Sequence, residues 1–166
     1  NDLEEVVNIS GGQLDLVKTM LERDDDPAEI SQLVTSIADA ATVKVIDLCI
    51  SELGTPPRDI CFMVVGSQGR REMTLSSDQD NAIIYSDPES EEEKKRADEY
   101  FLKLGQMVCE GLHQAGYPYC PGQIMANNPK WVLPALSWKS VFRDWIVKAE
   151  PQELLDFCVF FDLRGV

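Results

Sequence analysis

Positive charge is scarce in this sequence, which has 15 lysines and arginines against 29 aspartates and glutamates and a formal net charge of −14 at pH 7. A protein of this charge repels the phosphates of a nucleic acid and the anionic surface of a membrane. The composition therefore argues against a nucleic-acid partner and against a membrane partner. A small molecule that carries phosphates could bind if cations lay between those phosphates and the acidic side chains.

Long apolar runs and grouped metal ligands are also missing. No run of about 18 apolar residues is available to span a bilayer, and no basic segment followed by an apolar one indicates a signal peptide. With His113 as the single histidine and no C-x-x-C pair, we expect reduced, buried cysteines in a cytoplasmic protein and no zinc site. The five cysteines are Cys49, Cys61, Cys109, Cys120 and Cys158.

Apolar periodicity and turn residues outline the elements of the fold. Asp26 and Pro27 are typical of a helix start, and Gly54 with the following prolines marks its end. Short apolar runs between turn residues indicate buried strands. In chain order, we predict helices over 11–23 and 27–53, strands over 60–65 and 80–85, a helix over 90–114, a third strand or extended segment over 117–126, a helix over 135–147 and another apolar element over 151–161.

This order predicts an α+β fold in which helices flank a small mixed β-sheet. We expect an N-terminal helical segment over 1–55 that packs on the core, a core over 56–135, and the start of a C-terminal helical region over 136–166. Because neither end has the features of a natural terminus, we also expect a segment of a longer protein.

The turn after the first predicted strand has the features of a phosphate site. Gly66 directly follows the apolar run, and a glycine there lets the backbone turn sharply and approach a ligand. The amides at the start of the short polar stretch that follows are unsatisfied and favour an anion, and the Ser67 hydroxyl can add a hydrogen bond. Gly69 keeps the turn uncrowded. We therefore predict phosphate binding at this turn.

Asp78 and Asp80 come at the start of the second predicted strand. Side chains alternate along a strand, so these two carboxylates should project from one face and repel each other. Bound Mg²⁺ or Mn²⁺ would remove that repulsion, because these ions prefer oxygen ligands. Metal ions at this position can neutralise charge on a transferred phosphate and activate an attacking hydroxyl. We therefore predict that both aspartates are metal-binding and catalytic residues.

Arg70 and Arg71 form the only cluster of positive charge near this turn. A guanidinium group can clamp a phosphate with two hydrogen bonds. The alternative is a surface salt bridge to Glu72 or to another acidic neighbour. Both interpretations stay open at the level of the sequence.

The residues from Gly66 to Tyr85 together resemble the signature of the DNA polymerase β nucleotidyltransferase superfamily. The run from Gly66 to Glu72 is most similar to the protein-PII uridylyltransferase group. The runs from Cys120 to Trp131 and from Phe160 to Arg164 resemble further parts of that group, so the resemblance covers residues 30–166. It extends to nucleotidyltransferase domains of bacterial signal-transduction proteins that carry cyclic-nucleotide-binding and CBS modules ahead of this domain.

This resemblance implies a mixed sheet flanked by helices and dependence on Mg²⁺ or Mn²⁺. It also implies transfer of a nucleoside monophosphate from a nucleoside triphosphate to a protein or small-molecule acceptor in the bacterial cytoplasm. Carried over by position, Gly66 and Ser67 would hold the triphosphate, and Asp78 and Asp80 would bind the metal.

One feature of the resembled superfamily is missing. Active members place a third carboxylate on a following strand, where it binds metal and helps to deprotonate the acceptor. The matching segment, expected at 123–126, has no acidic residue, and Asp144 or Asp162 could substitute only if the fold brought it close. Two other hypotheses therefore stay open: a regulatory module that senses a nucleotide without turnover, and a scaffold with a vestigial site.

Trp131, Trp138 and Trp145 are spaced by seven residues, which places them near one face of a continuous helix. We expect them to pack against the sheet or a neighbouring region, with base stacking as the alternative for one of them. For His113, near a helix end, we expect a surface position or an interaction with the helix dipole.

Overall fold

The computed structural model describes residues 2–148 and 151–166, and within these residues the chain forms seven helices and four strands. The helices are α1 (Asp2–Gly11), α2 (Gln13–Glu22), α3 (Pro27–Leu53), α4 (Gly66–Gly69), α5 (Glu91–Gln114), α6 (Ala135–Lys148) and α7 (Pro151–Phe160). The strands are β1 (Ile60–Val64), β2 (Asn81–Tyr85), β3 (Val132–Pro134) and β4 (Arg164–Gly165), with a 3-10 turn at Pro129–Trp131. In this part of the chain, no helix combines the length and apolar character needed to cross a membrane.

The four strands form one mixed sheet in the order β3-β2-β1-β4. β1 and β2 pair antiparallel, from Ile60 opposite Tyr85 to Val64 opposite Asn81. β4 lies antiparallel to β1, and β3 lies parallel to β2. The predicted class, a small mixed sheet flanked by helices, is therefore confirmed.

Both faces of the sheet are covered, because successive side chains of a strand point to opposite sides. The face that packs against α3 and α5 consists of Phe62, Val64, Ile83 and Tyr85. The face that packs against the aromatic side chains of the C-terminal helices includes Met63, Val65 and Ala82. Burial on both faces explains why β1 and β2 are nearly continuous apolar runs.

The two long helices begin where the sequence predicts. Asp26 caps α3 by accepting a hydrogen bond from the amide of Ala28 at 2.8 Å, and Gly54 ends it with a φ of 87°. Ser90 caps α5 by accepting a hydrogen bond from the amide of Glu93 at 3.2 Å. These caps fix the ends of the helices that cover the first face of the sheet.

The third strand is β3, and the prediction of a strand over 117–126 was wrong. Pro118 and Pro121 have no amide hydrogen for a strand ladder, and Gln123 has a φ of 58°, which interrupts an extended chain. The segment 123–126, expected to match the acid-bearing strand of the superfamily, is accordingly not a strand. β3 contains no acidic residue either.

The three tryptophans form one buried cluster with Phe160 on the second face of the sheet. The ring centroids of Trp131 and Phe160 are 4.8 Å apart, and those of Trp145 and Phe160 are 5.5 Å apart. Trp138 donates its indole N–H to the carbonyl of Ile83 in β2 at 3.0 Å. Packing against the sheet is therefore confirmed, and burial leaves no open ring face for a nucleobase.

All five cysteines are reduced, but only Cys49, Cys109 and Cys120 are buried. The predicted burial is wrong for Cys158, on the outer face of α7, and for Cys61. Cys61 is exposed because its neighbour across the sheet edge, Gly165, has no side chain to cover it. His113 is exposed as expected, and its ring stacks on Tyr119 with centroids 4.3 Å apart.

Candidate functional site

The turn after β1 brings its backbone against an acidic side chain at the start of β2. Gly66 has a φ of +58°, and a Cβ atom placed on it would lie 2.7 Å from Oδ2 of Asp80. The amide of Val65 donates to the carbonyl of Asp80 at 3.0 Å, which extends the pairing of the two strands. Both the positive φ and the close approach require glycine at this position. The predicted turn and one of the predicted acids are therefore neighbours.

The turn is held from behind by α3 and β4. Gln68, which is buried, donates its side-chain amide to Oδ1 of Asp39 at 3.0 Å. Arg164 donates to the same Asp39 oxygen at 2.9 Å and to the carbonyl of Gln68 at 3.0 Å. Gly69 packs so closely on the chain near β4 that a Cβ atom on it would lie 2.3 Å from the carbonyl oxygen of Asp162. Sequence reasoning missed Asp39 and Arg164, because no local pattern connects residues so far apart in the chain.

The two predicted acids lie together, and a thiol joins them. Asp78, Asp80 and Cys120 each offer one ligand atom, and these atoms all lie within 4.8 Å of one another. Both carboxylates are partly exposed, whereas Cys120 is buried. Among the described residues, this is the one group of at least three histidine, cysteine, aspartate or glutamate side chains close enough to hold a metal ion. Cys120 was predicted to be only a buried apolar residue, and the sequence carries no local signal that it approaches the acids.

The pKa values in this group show that the charged forms of Asp80 and Cys120 are disfavoured. Burial raises the pKa of Asp80 above its ordinary value, and the charge of Asp78 raises it further. Contact with the Cys120 thiol and the charge of Arg70 act in the other direction. Burial also raises the pKa of Cys120 to about 11, with a further contribution from Asp80. A cation at this position would relieve the repulsion and favour the charged forms.

The residues between and after the acids fix their direction. Gln79 is buried and donates its side-chain amide to the carbonyls of Cys109 and Tyr117, both at 3.0 Å. Asn81 is also buried, and its side-chain oxygen accepts a hydrogen bond from the amide of Ala126 at 2.8 Å. Because side chains alternate along an extended chain, anchoring these two inward turns both acids toward the surface.

Arg70 forms the surface ion pair that the sequence left open as an alternative. Its Nε lies 2.8 Å from Oε2 of Glu72, and its Nη1 lies 3.4 Å from Oδ2 of Asp162. These contacts raise the pKa of Arg70, with the Glu72 hydrogen bond as the largest cause. Arg71 is exposed and has a φ of 60°. Phosphate contact by either arginine stays a prediction.

A protein-family model described as "Putative nucleotidyltransferase DUF294" matches residues 13–152. The match includes most of the chain, with the Gly66 turn and both aspartates inside it. The chain belongs to this nucleotidyltransferase family. No curated protein matches the sequence.

Family membership confirms the expected kind of protein at the coarse level of a nucleotidyltransferase, an enzyme class whose substrate is a nucleoside triphosphate. The match begins at residue 13, before the range of 30–166 over which the resemblance was expected, and it ends at residue 152. Asp162 and Arg164, which contact the turn and its neighbour Arg70, therefore lie outside the matched region of this nucleotidyltransferase.

In the described part of the chain, no third carboxylate joins Asp78 and Asp80 at this spacing. Asp144 belongs to α6 and pairs with Lys148 at 3.1 Å. Asp162 pairs with Arg70 and does not belong to the group either. The expectation that an acid is missing at the third position therefore agrees with the geometry, and Cys120 lies beside the acids instead.

The residues present fit a divalent cation. Two carboxylates and a thiol offer ligand atoms within 4.8 Å of one another, and the missing side chain of Gly66 lets the turn approach Asp80 closely. The repulsion between the acids also gives the protein a reason to bind positive charge there.

Proposed function

We propose that this chain is a metal-dependent nucleotidyltransferase domain, which transfers a nucleoside monophosphate to a hydroxyl group of a protein or small-molecule acceptor. In this reaction the acceptor oxygen replaces pyrophosphate on the α-phosphorus of the triphosphate. The observation that carries the proposal is the contact between the Gly66 turn and Asp80, with Asp78 alongside. This contact supports the proposal, because a metal-bound triphosphate requires an anion-binding turn next to a cation-binding pair of acids.

Each group has a separate task in this proposal. The free amides at the start of α4 and the hydroxyl of Ser67 bind phosphate oxygens. Gly69 keeps the turn seated on the chain near β4, and Arg70 and Arg71 contribute positive charge at its far end. Because the turn is locked to α3 and β4 through Gln68, its amides are oriented before the substrate arrives.

Asp78 and Asp80 would hold Mg²⁺ or Mn²⁺. When bound, the metal would supply positive charge that neutralises the phosphates and would activate the acceptor hydroxyl. The aspartates also exclude a bare triphosphate, because their own charge and the net charge of −14 repel it.

A second candidate function is a module that binds the nucleotide as a signal without turnover. It is favoured by the absence of a third carboxylate near Asp78 and Asp80 among the described residues. The Gly66 turn and the two acids would then bind the metal-bound triphosphate, and the described residues would offer no third carboxylate at the acids to take the proton of an acceptor.

We also propose a context for the domain. The similarity of residues 66–72 to protein-PII uridylyltransferases supports a role in a bacterial, cytoplasmic signal-transduction protein with cyclic-nucleotide-binding and CBS modules in the same full-length chain. The proposed regions 1–55, 56–135 and 136–166 all meet at the turn, since Asp39 comes from the first of them and Arg164 from the last.

Thermal unfolding tests the proposal. With Mg²⁺ and a nucleoside triphosphate at about 100 times Kd, the free energy of unfolding should rise by about 2.7 kcal/mol, or roughly 5–10 °C in Tm. Asp78→Ala with Asp80→Ala should abolish this shift, whereas Asp144→Ala, at a surface ion pair on α6, should keep it. A full shift in the double variant would refute the assignment.

Release of pyrophosphate separates the two candidates. The assay uses the full-length protein, each of the four nucleoside triphosphates, and candidate acceptors. Sustained release that depends on Asp78 would eliminate the sensing module. Binding of the triphosphate without release would support it against the transferase.

A further inference from the structure

Cys120 lies in a loop whose backbone is hydrogen-bonded to the residues on both sides of Asp80. The amide of Gln79 donates to the carbonyl of Pro118 at 2.9 Å, and the amide of Asn81 donates to the carbonyl of Ile124 at 3.0 Å. Residues 119–123 therefore bulge out opposite Asp80. This bulge carries the thiol of Cys120 to the two carboxylates.

Cys120 begins the tight turn that forms the bulge. The amide of Gln123 donates to the carbonyl of Cys120 at 3.0 Å, which closes a tight turn through Pro121 and Gly122. The Cys120 sulfur lies near Gly122, since a Cβ atom placed on Gly122 would be 3.5 Å from it. The turn therefore holds the thiol within 4.8 Å of a carboxylate oxygen of each acid.

We propose that Cys120 is the third protein ligand of the metal site formed by Asp78 and Asp80, and that its sulfur gives the site affinity for thiophilic divalent cations. The inference rests on the proposed function, since it concerns the same metal. Metal binding would release the thiol proton to solvent, because a thiol that coordinates a metal ion is deprotonated.

This ligand set makes a chemical prediction about selectivity. A site of carboxylates alone favours hard ions such as Mg²⁺, whereas one thiolate shifts the preference toward Zn²⁺, Co²⁺ and Cd²⁺. Cys120 would thus supply a thiolate ligand in place of the third carboxylate that active members of the resembled superfamily have. Cys120→Asp, which installs a carboxylate, should move the preference back toward Mg²⁺.

Titration of the protein with Co²⁺ tests the proposal, because a sulfur ligand gives an intense near-ultraviolet charge-transfer band that oxygen ligands do not give. The wild-type protein should show this band. Cys120→Ser should lose it and should bind Cd²⁺ at least about tenfold more weakly relative to Mg²⁺, because even the loss of a group that only supports a metal ligand has an effect of that size. Cys61→Ser and Cys158→Ser, which remove exposed thiols outside the group, should keep the band.

A measurement on the unaltered protein guards against misfolding of the variant. With ¹¹³Cd²⁺ bound, the cadmium resonance of the wild-type protein should lie far downfield of the range for all-oxygen sites. Persistence of the cobalt band in folded Cys120→Ser, or a cadmium resonance in the all-oxygen range, would overturn the role of Cys120. If Mg²⁺ binding in that case still depended on Asp78, the proposed function would stand. If the wild-type protein bound no divalent cation, both proposals would fall.

Discussion

Gly66 occupies the position where a side chain would separate the turn proposed to bind phosphate from Asp80, one of the proposed metal ligands. Its φ is +58°, and a Cβ atom would lie 2.7 Å from Oδ2 of Asp80, so a larger residue must displace the carboxylate. We expect Gly66→Ala to lower the free energy of unfolding by about 1–2 kcal/mol and to abolish the Tm shift with Mg²⁺ and triphosphate.

Gly54→Ala is the matched control for this prediction. Gly54 also has a positive φ, of +87°, but no atom lies within 4 Å of the position of its Cβ. The control should lose stability and keep the ligand-induced shift. A normal shift in Gly66→Ala would mean that the turn and Asp80 do not act together.

The native environment of Asp80 disfavours its charged form, mainly because the side chain is partly buried. Since its native pKa is raised, the native state holds this proton more tightly than the unfolded chain does. The free energy of unfolding therefore falls as the pH rises from the unfolded to the native pKa, and it stays lowered at neutral pH.

Asp80→Asn should accordingly raise the Tm of the metal-free protein at neutral pH, while it removes metal binding. Near pH ~4 the gain should shrink, because the carboxyl group is then largely protonated. Thermal unfolding in EDTA at the two pH values measures this, with Asp144→Asn as the control. A lower Tm of Asp80→Asn at neutral pH would contradict the electrostatic account.

At the scale of the elements, β2 fastens the loop that precedes the 3-10 turn. Asn81 is buried, and its side-chain oxygen accepts from the amide of Ala126 at 2.8 Å and from the thiol of Cys109 at 3.5 Å. Asn81→Ala would leave the Ala126 amide buried without this partner. We expect a loss of about 1–3 kcal/mol in urea unfolding.

Asn128→Ala removes the same amide group from a turn at the surface, where Asn128 accepts from the amide of Lys130 at 3.0 Å. Because water can replace that acceptor, the expected loss is smaller, at about 0.5–1 kcal/mol. Equal losses in the two variants would mean that the anchor of the loop on β2 adds nothing beyond a local turn.

The sequence predicts the elements whose signals are local. α3 and α5 carry their caps, and β1 and β2 are apolar runs between turn residues, so these four lie within a residue of their predicted bounds. The segment 117–126, predicted as a strand or an extended segment, is not a strand, because its backbone is hydrogen-bonded to the side chains of Gln79 and Asn81, a long-range arrangement that periodicity does not report. β3 was missed because it has only three residues.

The candidate site divides in the same way. Asp78 and Asp80 are two residues apart, so strand alternation could predict that they share a face, and Gly66 follows the strand that pairs with β2. Asp39, Arg164 and Cys120 reach the site only through the tertiary fold, from α3, from β4 and from the loop on β2. No local sequence pattern predicts that these three residues lie at the site.

At the scale of the whole molecule, the net charge of −14 opposes the binding of a triphosphate, and the proposed divalent cation would offset that repulsion. A triphosphate in excess EDTA meets the repulsion of the protein and of both aspartates. We expect no Tm shift under those conditions and a full shift once Mg²⁺ or Mn²⁺ is restored. An equal shift in EDTA would show that the triphosphate binds elsewhere.

The claim that two aspartates hold a metal ion beside the phosphate turn is tested most directly by electron paramagnetic resonance of Mn²⁺. The protein is added to Mn²⁺ and a smaller amount of a nucleoside triphosphate, so that free Mn²⁺ gives a signal at the start. This signal should decline as the protein binds up to one equivalent of Mn²⁺ per chain. Asp78→Asn with Asp80→Asn should leave the free signal unchanged. Loss of the signal to the same extent in that double variant would contradict the account.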